Sequence, residues 1–378
     1  MLKIWLIASV LASSVYGAPS NKRSPKTLSL PFDVVKNNTS SSTTNASKRD
    51  KTVPIYPDML GLQYLVTVQV GSNKQTIQVG IDTGSSDFWV PGDNVECNGM
   101  YSCTGGGTFN PKTSTTFHNL SKVIDAAYLD GHNAIGWYGK DDYWFEDGTK
   151  LPQFQFGVMD KDGRPSGLLG LGYNFTEATT DHSTYPNFPF ALKDAGIVDK
   201  AAYSLYLNSA QAEDGNLLFG GIDKAKYSGE MKVLDVVHYR WLGVELGSIT
   251  TARGKNFTVN TPVYLDSGTT YMTMTPDILK QVYENEGLDE NGTADCDKIN
   301  KAGSTTFNFG ELEIKVPNSE LYSGEETCKI NIDESSVSNM FGDIFLRSAY
   351  VAYNLDTNKI GLAQVKYTDD SSVVDFWF

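Results

Sequence analysis

The sequence has few of the residues that metal sites and covalent hydrolases use. It contains only four cysteines and four histidines in 378 residues. No Cys-x-x-Cys pair occurs, and no two histidines stand four residues apart, so we expect neither a metal nor another cofactor. Neither Gly-x-Ser-x-Gly nor a cysteine and histidine signature is present, so no motif supplies the nucleophile of a serine or cysteine hydrolase.

The sequence also lacks an excess of positive charge and a long apolar run. Its formal net charge is −14, whereas binding to nucleic-acid phosphates needs a basic surface, so no nucleic-acid partner is expected. The apolar run from Ile4 to Val10 is well short of the roughly 20 residues that span a bilayer. The tail from Val373 to Phe378 is too short for an anchor signal, so we expect no membrane anchor.

What the sequence does contain favours a large β-rich protein. With 40% hydrophobic, 12% aromatic and only 20% charged residues, it is neither a disordered chain nor a coiled coil. The 35 glycines, 20 tyrosines and 18 phenylalanines favour strands joined by tight turns, because aromatic side chains suit pleated surfaces.

The first 49 residues differ in charge from the rest of the chain. They hold seven lysines and arginines against a single acid, Asp33. Lys3, the apolar run that follows it and the small residues up to Ala18 are typical of a secretory signal, which we assign to residues 1–17. The alternative is a buried N-terminal helix.

A processing segment is predicted to follow the signal. The Ser/Thr/Asn-rich tract over 37–47 is too polar to pack and is expected to be disordered. It ends at the dibasic pair Lys48-Arg49, with Lys22-Arg23 as a second candidate for cleavage. We therefore predict a propeptide over residues 18–49 and a secreted, extracellular product.

Secretion has consequences for glycosylation and for the cysteines. Sequons of the Asn-x-Ser/Thr type occur in the head at Asn37, Asn38 and Asn45 and in the body at Asn119, Asn174, Asn256 and Asn291. In an oxidising compartment the four cysteines are expected to pair, and three connectivities are possible. The local choice is Cys97–Cys103 with Cys296–Cys328.

The hydrophobic pattern from Leu60 onward is mostly that of short strands. Residues 64–70 and 76–81 alternate on either side of a turn at 71–74. The clearest candidates for helices are short and lie over 190–195, 276–285 and 343–350.

An internal repeat is the most informative feature. The stretch Val79-Gly-Ile-Asp82-Thr83-Gly84-Ser85 has a counterpart in Val263-Tyr-Leu-Asp266-Ser267-Gly268-Thr269. Each is followed much later by two apolar residues and a glycine, which end at Gly170 and Gly342. The repeat predicts two similar lobes that present two Asp turns to each other.

Two facing carboxyl groups imply a specific chemistry. They cannot both ionise easily, so they share one proton over a wide acidic range. The ionised group then acts as a base toward a water while its protonated partner polarises a carbonyl, as in the aspartic proteases, the standard example of such a dyad. We predict Asp82 and Asp266 as catalytic residues, with support from Thr83, Ser85, Ser267 and Thr269. Gly84 and Gly268 would let the two turns approach closely.

With these motifs the sequence resembles the pepsin-type aspartic proteases and is most similar to the candidapepsin-type secreted proteases of yeasts. The resemblance covers nearly all of residues 56–368 and includes the block Asp87-Phe-Trp-Val-Pro91. It implies an all-β, bilobal fold with few short helices, and we place the lobes at 50–230 and 231–378. It further implies cleavage of polypeptide substrates and inhibition by statine-type inhibitors. We expect a monomer, and the shared proton of the dyad predicts activity in acid.

The resemblance also implies a flap hairpin over the cleft, tipped by a tyrosine that hydrogen-bonds a tryptophan. Spacing favours Tyr128 with Trp89, and Tyr138 is the rival candidate. Leu129 stands where family flaps place glycine, so the turn is expected to be carried by Asp130-Gly131. The predicted substrate-binding residues are Gly84, Trp89, Tyr128, Leu129, Asp130, Gly268 and Thr270.

Departures such as Leu129 leave an alternative from another class of protein. It is an inactive homologue that binds peptides or inhibits another enzyme. Because both Asp triplets are intact, an active endopeptidase is favoured.

Overall fold

The structure, a computed structural model, describes residues 26–36, 62–98, 102–129, 131–238 and 240–378. The predicted signal peptide, the pair Lys48-Arg49, the head sequons and flap residue Asp130 lie outside the described residues. The α-helices are α1 (Phe188–Asp194), α2 (Pro276–Glu286), α3 (Asn318–Leu321) and α4 (Asp343–Leu346). Short 3-10 helices cover Pro111–Thr113, Lys224–Lys226 and Cys296–Lys298.

Strands make up most of the remaining ordered structure. Those before residue 200 are β1 (Leu28–Lys36), β2 (Leu62–Val70), β3 (Gln75–Asp82), β4 (Phe88–Cys97), β5 (His118–Ala127), β6 (Asn133–Trp144), β7 (Lys150–Asp162) and β8 (Gly167–Gly170). The next are β9 (Ala202–Tyr206), β10 (Asp214–Phe219), β11 (Gly221–Asp223), β12 (Tyr227–Asp235), β13 (Gly243–Thr250), β14 (Asn256–Leu265), β15 (Met272–Met274) and β16 (Thr293–Asp295). The last are β17 (Ser304–Phe309), β18 (Leu312–Pro317), β19 (Tyr322–Ser323), β20 (Thr327–Ile330), β21 (Ile332–Glu334), β22 (Met340–Phe341), β23 (Ala349–Asn354), β24 (Lys359–Val365) and β25 (Val373–Asp375).

Two large sheets build the two-lobed, mainly-β architecture that was predicted. A 13-stranded sheet has the order β12-β24-β23-β9-β10-β1-β2-β3-β8-β4-β7-β6-β5. A seven-stranded sheet, made only of strands from the second half of the chain, has the order β18-β17-β13-β14-β22-β15-β21. There are also a two-stranded sheet, β11-β25, and a three-stranded sheet, β16-β20-β19.

The β2–β3 hairpin shows how the sequence pattern becomes core. Its strands pair antiparallel from Leu65 opposite Gly80 to Val70 opposite Gln75, and alternate side chains such as Val66, Val68 and Ile77 are fully buried. Both strands were predicted, and the structure confirms them.

The helix predictions were less accurate. Helices over 190–195 and 276–285 are confirmed with bounds shifted by one or two residues. The prediction over 343–350 is wrong in its second half, because the helix ends at Leu346 and the chain enters β23 at Ala349. Every residue of β23 is buried between β9 and β24, and a strand that is buried on both faces has no alternation to distinguish it from a helix.

Strand β1 lies outside the region from Leu60 onward that was predicted to be rich in strands. It falls within the predicted propeptide and pairs antiparallel with β10 along its first part and with β2 along its second. Its side chains Leu28, Leu30, Phe32 and Val34 are buried. The predicted lobe boundary after residue 230 falls inside strand β12.

Two disulfides join the cysteines in the local pairing. Cys97 pairs with Cys103 and Cys296 with Cys328, and the second disulfide ties the 3-10 helix at Cys296–Lys298 to β20. Among the described residues no helix has both the length and the apolar character needed to cross a membrane.

Candidate active site

The two Asp turns lie at equivalent positions of two similar strand arrangements. In the first, β8 pairs parallel with the end of β3, which brings Asp82 opposite Gly170, and antiparallel with β4. In the second, β22 pairs parallel with the end of β14 and antiparallel with β15. Each Asp therefore leaves the end of a strand held by the apolar-apolar-Gly element of its own half.

Hydroxyl groups cross between the two turns. The Thr83 amide donates to Ser267 Oγ at 3.1 Å, and the Ser267 amide donates to Thr83 Oγ1 at 3.0 Å. Each hydroxyl then donates to a carbonyl of the opposite strand, Thr83 to Leu265 at 2.8 Å and Ser267 to Ile81 at 3.1 Å. These buried reciprocal bonds fix the two turns relative to each other.

Each carboxylate is held by its own turn in the same way. Asp82 accepts from the Gly84 amide at 2.8 Å on Oδ1 and from Ser85 Oγ at 2.5 Å on Oδ2. Asp266 has the matching contacts with the Gly268 amide and Thr269 Oγ1, both at 2.8 Å. The donors fix the orientation of both carboxyl planes.

The two glycines allow the carboxyl groups to meet. A Cβ atom on Gly84 would lie 2.6 Å from Asp266 Cγ, and one on Gly268 would lie 2.5 Å from Asp82 Oδ1. Any side chain at either position would overlap the opposite carboxyl group. The requirement for glycine here comes from the close approach, since neither residue has a positive φ angle.

The environment of the two turns changes the titration of Asp266. Burial, followed by the neighbouring Asp82 carboxylate, raises the pKa of Asp266 above its usual range. Both side chains are buried, at 5% and 6% exposure. A shared proton between them is the state that this environment favours.

Tyr128 lies at the tip of the β5–β6 hairpin, the segment predicted to be the flap. Trp89 Nε1 donates to the Tyr128 hydroxyl at 2.7 Å. The Gly131 amide donates to the Tyr128 carbonyl at 3.1 Å, and Gly131 has a φ of 83°. This left-handed glycine carries the turn, as expected from the Asp-Gly dipeptide, while Leu129 is 68% exposed.

The rival tyrosine, Tyr138, has a different position. It is fully buried, and its hydroxyl donates to Asp87 Oδ1 at 2.6 Å. Asp87 also accepts from the Tyr185 hydroxyl at 2.7 Å and from the Ala178 amide at 2.7 Å. Burial raises the pKa of this Asp87 carboxyl, which lies behind the first turn.

A cavity of about 340 Å³ between the flap and the dyad collects most of the predicted site residues. Its lining includes Asp82, Gly84, Ser85, Tyr128, Leu129, Asp266, Gly268 and Thr269. Thr270 lines a neighbouring cavity of about 100 Å³ together with Gly268. Trp89 lines neither of these cavities and contacts the site through its hydrogen bond to Tyr128.

Sequence reasoning missed several lining residues. They are Arg164, Thr176, Arg240, Trp241 and Met340. All but Met340 belong to loops outside the two repeats, so no periodicity or motif identifies them. Met340 could have been found, because it begins the apolar-apolar-Gly element of the second repeat.

Comparisons with known proteins point to one protease family. The family model described as eukaryotic aspartyl protease matches residues 63–365. The chain is 38% identical to Candidapepsin-1 of Candida albicans (strain WO-1), with 98% of each chain covered, and 37% identical to Candidapepsin-3 of the same strain, again with 98% of each covered. It is 40% identical to Secreted aspartic protease 5 of Candida albicans (strain SC5314 / ATCC MYA-2876), over 83% of this chain and 78% of that protein.

Proposed function

The chain belongs to the eukaryotic aspartyl protease family as a secreted aspartic-type endopeptidase, and we propose that Asp82 and Asp266 are its catalytic residues. The observation that carries this proposal is the pair of carboxyl groups that face each other across two glycines, each with matching donors. Its substrates are polypeptides.

The proposed reaction uses a water bound between the two carboxyl groups. The ionised carboxylate takes a proton from this water while the water oxygen attacks the peptide carbonyl carbon. The protonated partner donates its proton to the carbonyl oxygen. The proton taken from water then passes to the leaving nitrogen as the C–N bond breaks. A hydroxyl group of the tetrahedral intermediate returns one proton to the dyad as the carboxylic acid product forms. Because water is the nucleophile, no covalent bond forms between enzyme and substrate.

The roles of the surrounding residues follow from their contacts. Thr83 and Ser267 hold the turns together, while Ser85 and Thr269 orient the carboxyl groups. Tyr128 covers the cleft, and its hydroxyl is fixed by Trp89. Statine-type inhibitors, whose hydroxyl group can replace the attacking water, should compete with substrate in this cleft.

The test is conservative replacement of each carboxyl group. Asp82→Asn and Asp266→Asn should fold and lose kcat by several orders of magnitude, because one shared proton needs two carboxyl groups. The control is Asp297→Asn, at an exposed aspartate far along the chain from either turn. Circular dichroism checks the fold, and digestion of denatured protein at about pH 4 measures activity. Near wild-type digestion by either dyad variant would refute the assignment.

We further propose that the protein is made as a zymogen and processed after Arg49. In support, the predicted propeptide holds β1, which is hydrogen-bonded on both sides within the large sheet. Cleavage after Arg49 would therefore separate a core strand from the rest of the chain. Amino-terminal sequencing of the secreted product tests the site, and a mature chain beginning upstream of residue 37 would exclude it.

Two smaller proposals concern the secreted form. Asn119, Asn256 and Asn291 are exposed and are proposed as glycan acceptors, whereas Asn174 is half-buried. The mature enzyme is proposed to be a monomer. Glycopeptide mass spectrometry and light scattering test these statements.

A further inference from the structure

Two buried tyrosines are hydrogen-bonded to the backbone beside the Asp turns. Tyr203 of β9 stands opposite Tyr353 of β23 in an antiparallel pairing that joins the two halves of the chain in one sheet. Their rings stack with centres 4.9 Å apart and 27° between the planes. Both residues are fully buried, and neither is among the described residues that line the two cavities of the cleft. They therefore do not touch a substrate directly.

The hydroxyl group of Tyr203 reaches the first Asp turn through one residue. It donates to the Leu171 carbonyl at 3.0 Å, and the Leu171 amide donates to the main-chain carbonyl of Asp82 at 2.8 Å. Leu171 directly follows Gly170, which stands opposite Asp82 at the end of β8. The Tyr203 hydroxyl thus holds the peptide segment that fixes the backbone of Asp82.

The hydroxyl group of Tyr353 reaches the second turn more directly. It donates at 3.3 Å to the carbonyl of Leu265, the residue immediately before Asp266. The same carbonyl accepts from Thr83 Oγ1 at 2.8 Å, one of the bonds that cross between the turns. Tyr353 therefore supplies a second donor to a carbonyl group that takes part in fixing both turns.

Both hydroxyl groups keep their protons wherever the enzyme works. Burial raises the pKa of Tyr203 and of Tyr353 above the ordinary tyrosine value, so both groups are donors in acid and at neutral pH. The stacked rings form a cross-strand pair that restricts both side chains. Because a buried hydroxyl group without an acceptor is costly, these bonds resist displacement of the carbonyl groups that accept them.

We propose that Tyr203 and Tyr353 are a stacked pair of positioning residues that sets the separation and orientation of the two catalytic carboxyl groups. Each tyrosine holds one turn, and the contact between the rings couples the turns by a route separate from the crossing bonds of Thr83 and Ser267. Displacement of a reacting group by about 1 Å can lower a rate about a hundredfold. This role rests on the proposed function, because both turns carry the proposed catalytic residues.

The experiment removes one hydroxyl group at a time and keeps each ring. The test variants of the mature enzyme are Tyr203→Phe and Tyr353→Phe, and the matched controls are Tyr206→Phe and Tyr350→Phe. Each control residue lies three positions from its test residue on the same strand, hence on the opposite face of the sheet. Both control residues are buried, and their hydroxyl groups donate to other side chains.

Three quantities are measured for every enzyme at about pH 4. The first is kcat and KM on one fluorogenic peptide, and the second is the midpoint of urea denaturation. The third is the pair of inhibition constants for a statine peptide and for the same peptide without the statine hydroxyl. The ratio of these constants reports on the carboxyl groups, because the hydroxyl is the part of the inhibitor that can replace the attacking water.

Each test variant should lower kcat about tenfold while KM stays within about twofold, because the carboxyl groups are displaced and the cleft is not. The statine peptide should lose affinity by a similar factor, and the peptide without the hydroxyl should not. The controls should lose stability to a similar extent and keep kcat and both inhibition constants. Each tyrosine has its own variant, so either variant alone decides the role of its residue.

Other outcomes separate the positioning role from the proposed function. A test variant that keeps kcat and the ratio of inhibition constants overturns the positioning role of that tyrosine. Equal losses of kcat in test and control variants also overturn it, since general destabilisation then explains them. A wild-type enzyme that is inactive, or that does not distinguish the two inhibitors, argues instead against the proposed catalytic function.

Discussion

At the scale of single residues, Leu129 is where this chain departs most visibly from the flap that its sequence resembles. The turn does not need glycine at this position, because Gly131 supplies the left-handed conformation. The Leu129 side chain is 68% exposed and lines the cleft, so it does not pack into the hairpin. Its place at the cavity predicts that it limits the size of a substrate side chain beneath the flap.

The prediction is tested with peptides graded by side-chain size beside the scissile bond. Leu129→Ala should raise kcat/KM for the largest side chains several-fold relative to the smallest, because it removes bulk while keeping a Cβ atom. Leu129→Gly adds backbone freedom as well, so a difference between the two variants measures flap flexibility. An unchanged rank order and unchanged ratios in both variants would show that Leu129 does not shape the pocket.

Other residue-scale features were beyond prediction from the sequence. The spacing of the two Asp triplets predicted the dyad, its glycines and its crossing hydroxyl groups, because each lies within a few residues of a repeated motif. Arg347 has no such signal. It is 2% exposed and donates from Nε and Nη2 to Glu320 at 2.9 and 2.6 Å and from Nη1 to the Tyr64 hydroxyl at 3.3 Å. Its partners stand 27 and 283 residues away.

At the scale of elements, strand β1 shows how a correct pattern can be hidden by its context. Leu28, Leu30, Phe32 and Val34 alternate with other residues, which is the signature of a half-buried strand. Because the surrounding residues are basic and of low complexity, the segment that holds β1 was interpreted as part of a propeptide. Because β1 pairs with β2 and also with β10, which follows much later in the chain, only the folded structure shows that the segment is part of the core.

Phe32 provides the prediction at this scale. Its side chain is 2% exposed and packs edge-to-face on Tyr64 with ring centres 5.7 Å apart. Phe32→Ala should lower the free energy of unfolding of the unprocessed precursor by about 3 kcal/mol, the usual cost of a large buried cavity. Pro31→Ala is the matched control, since Pro31 is exposed and pairs on one side only.

Urea denaturation of both precursors, made with the dibasic site removed, gives the comparison. The control should change the free energy of unfolding by less than about 1 kcal/mol. Equal midpoints for Phe32→Ala and the parent would mean that β1 contributes little to the precursor.

At the scale of the whole molecule, two similar halves share one framework. The internal repeat predicted two lobes, and both halves do build the same strand arrangement around their Asp turns. The repeat could not locate where one lobe ends, because β12, β23 and β24 from the second half join the large sheet beside β9. Strand partners between distant segments depend on three-dimensional packing, which the local sequence does not encode.

Several buried carboxyl groups make the stability of the whole molecule depend on pH. Burial raises the pKa of Asp162 to about 7 and that of Glu177 to about 8, and it raises the pKa of Asp87 and Asp266 as well. Between pH 4 and these values the folded state holds more protons than the unfolded state. The free energy of unfolding therefore falls as the pH rises through this window, and the stabilisation is fully present only below pH 4.

Asp162→Asn tests this origin of neutral-pH instability. Asp162 is fully buried, and its Oδ1 accepts from the Arg164 amide, a bond that asparagine can keep. Because the amide does not ionise, the free energy of unfolding should fall less in the variant than in the parent between about pH 4.5 and about pH 7.5. The difference should be roughly 2–4 kcal/mol, which corresponds to the pKa of about 7 for Asp162 in the folded state. Asp125→Asn, at an exposed position, should follow the parent. Urea denaturation across this range measures the slopes, and parallel curves for Asp162→Asn and the parent would show that ionisation of Asp162 is not what opposes folding near neutral pH.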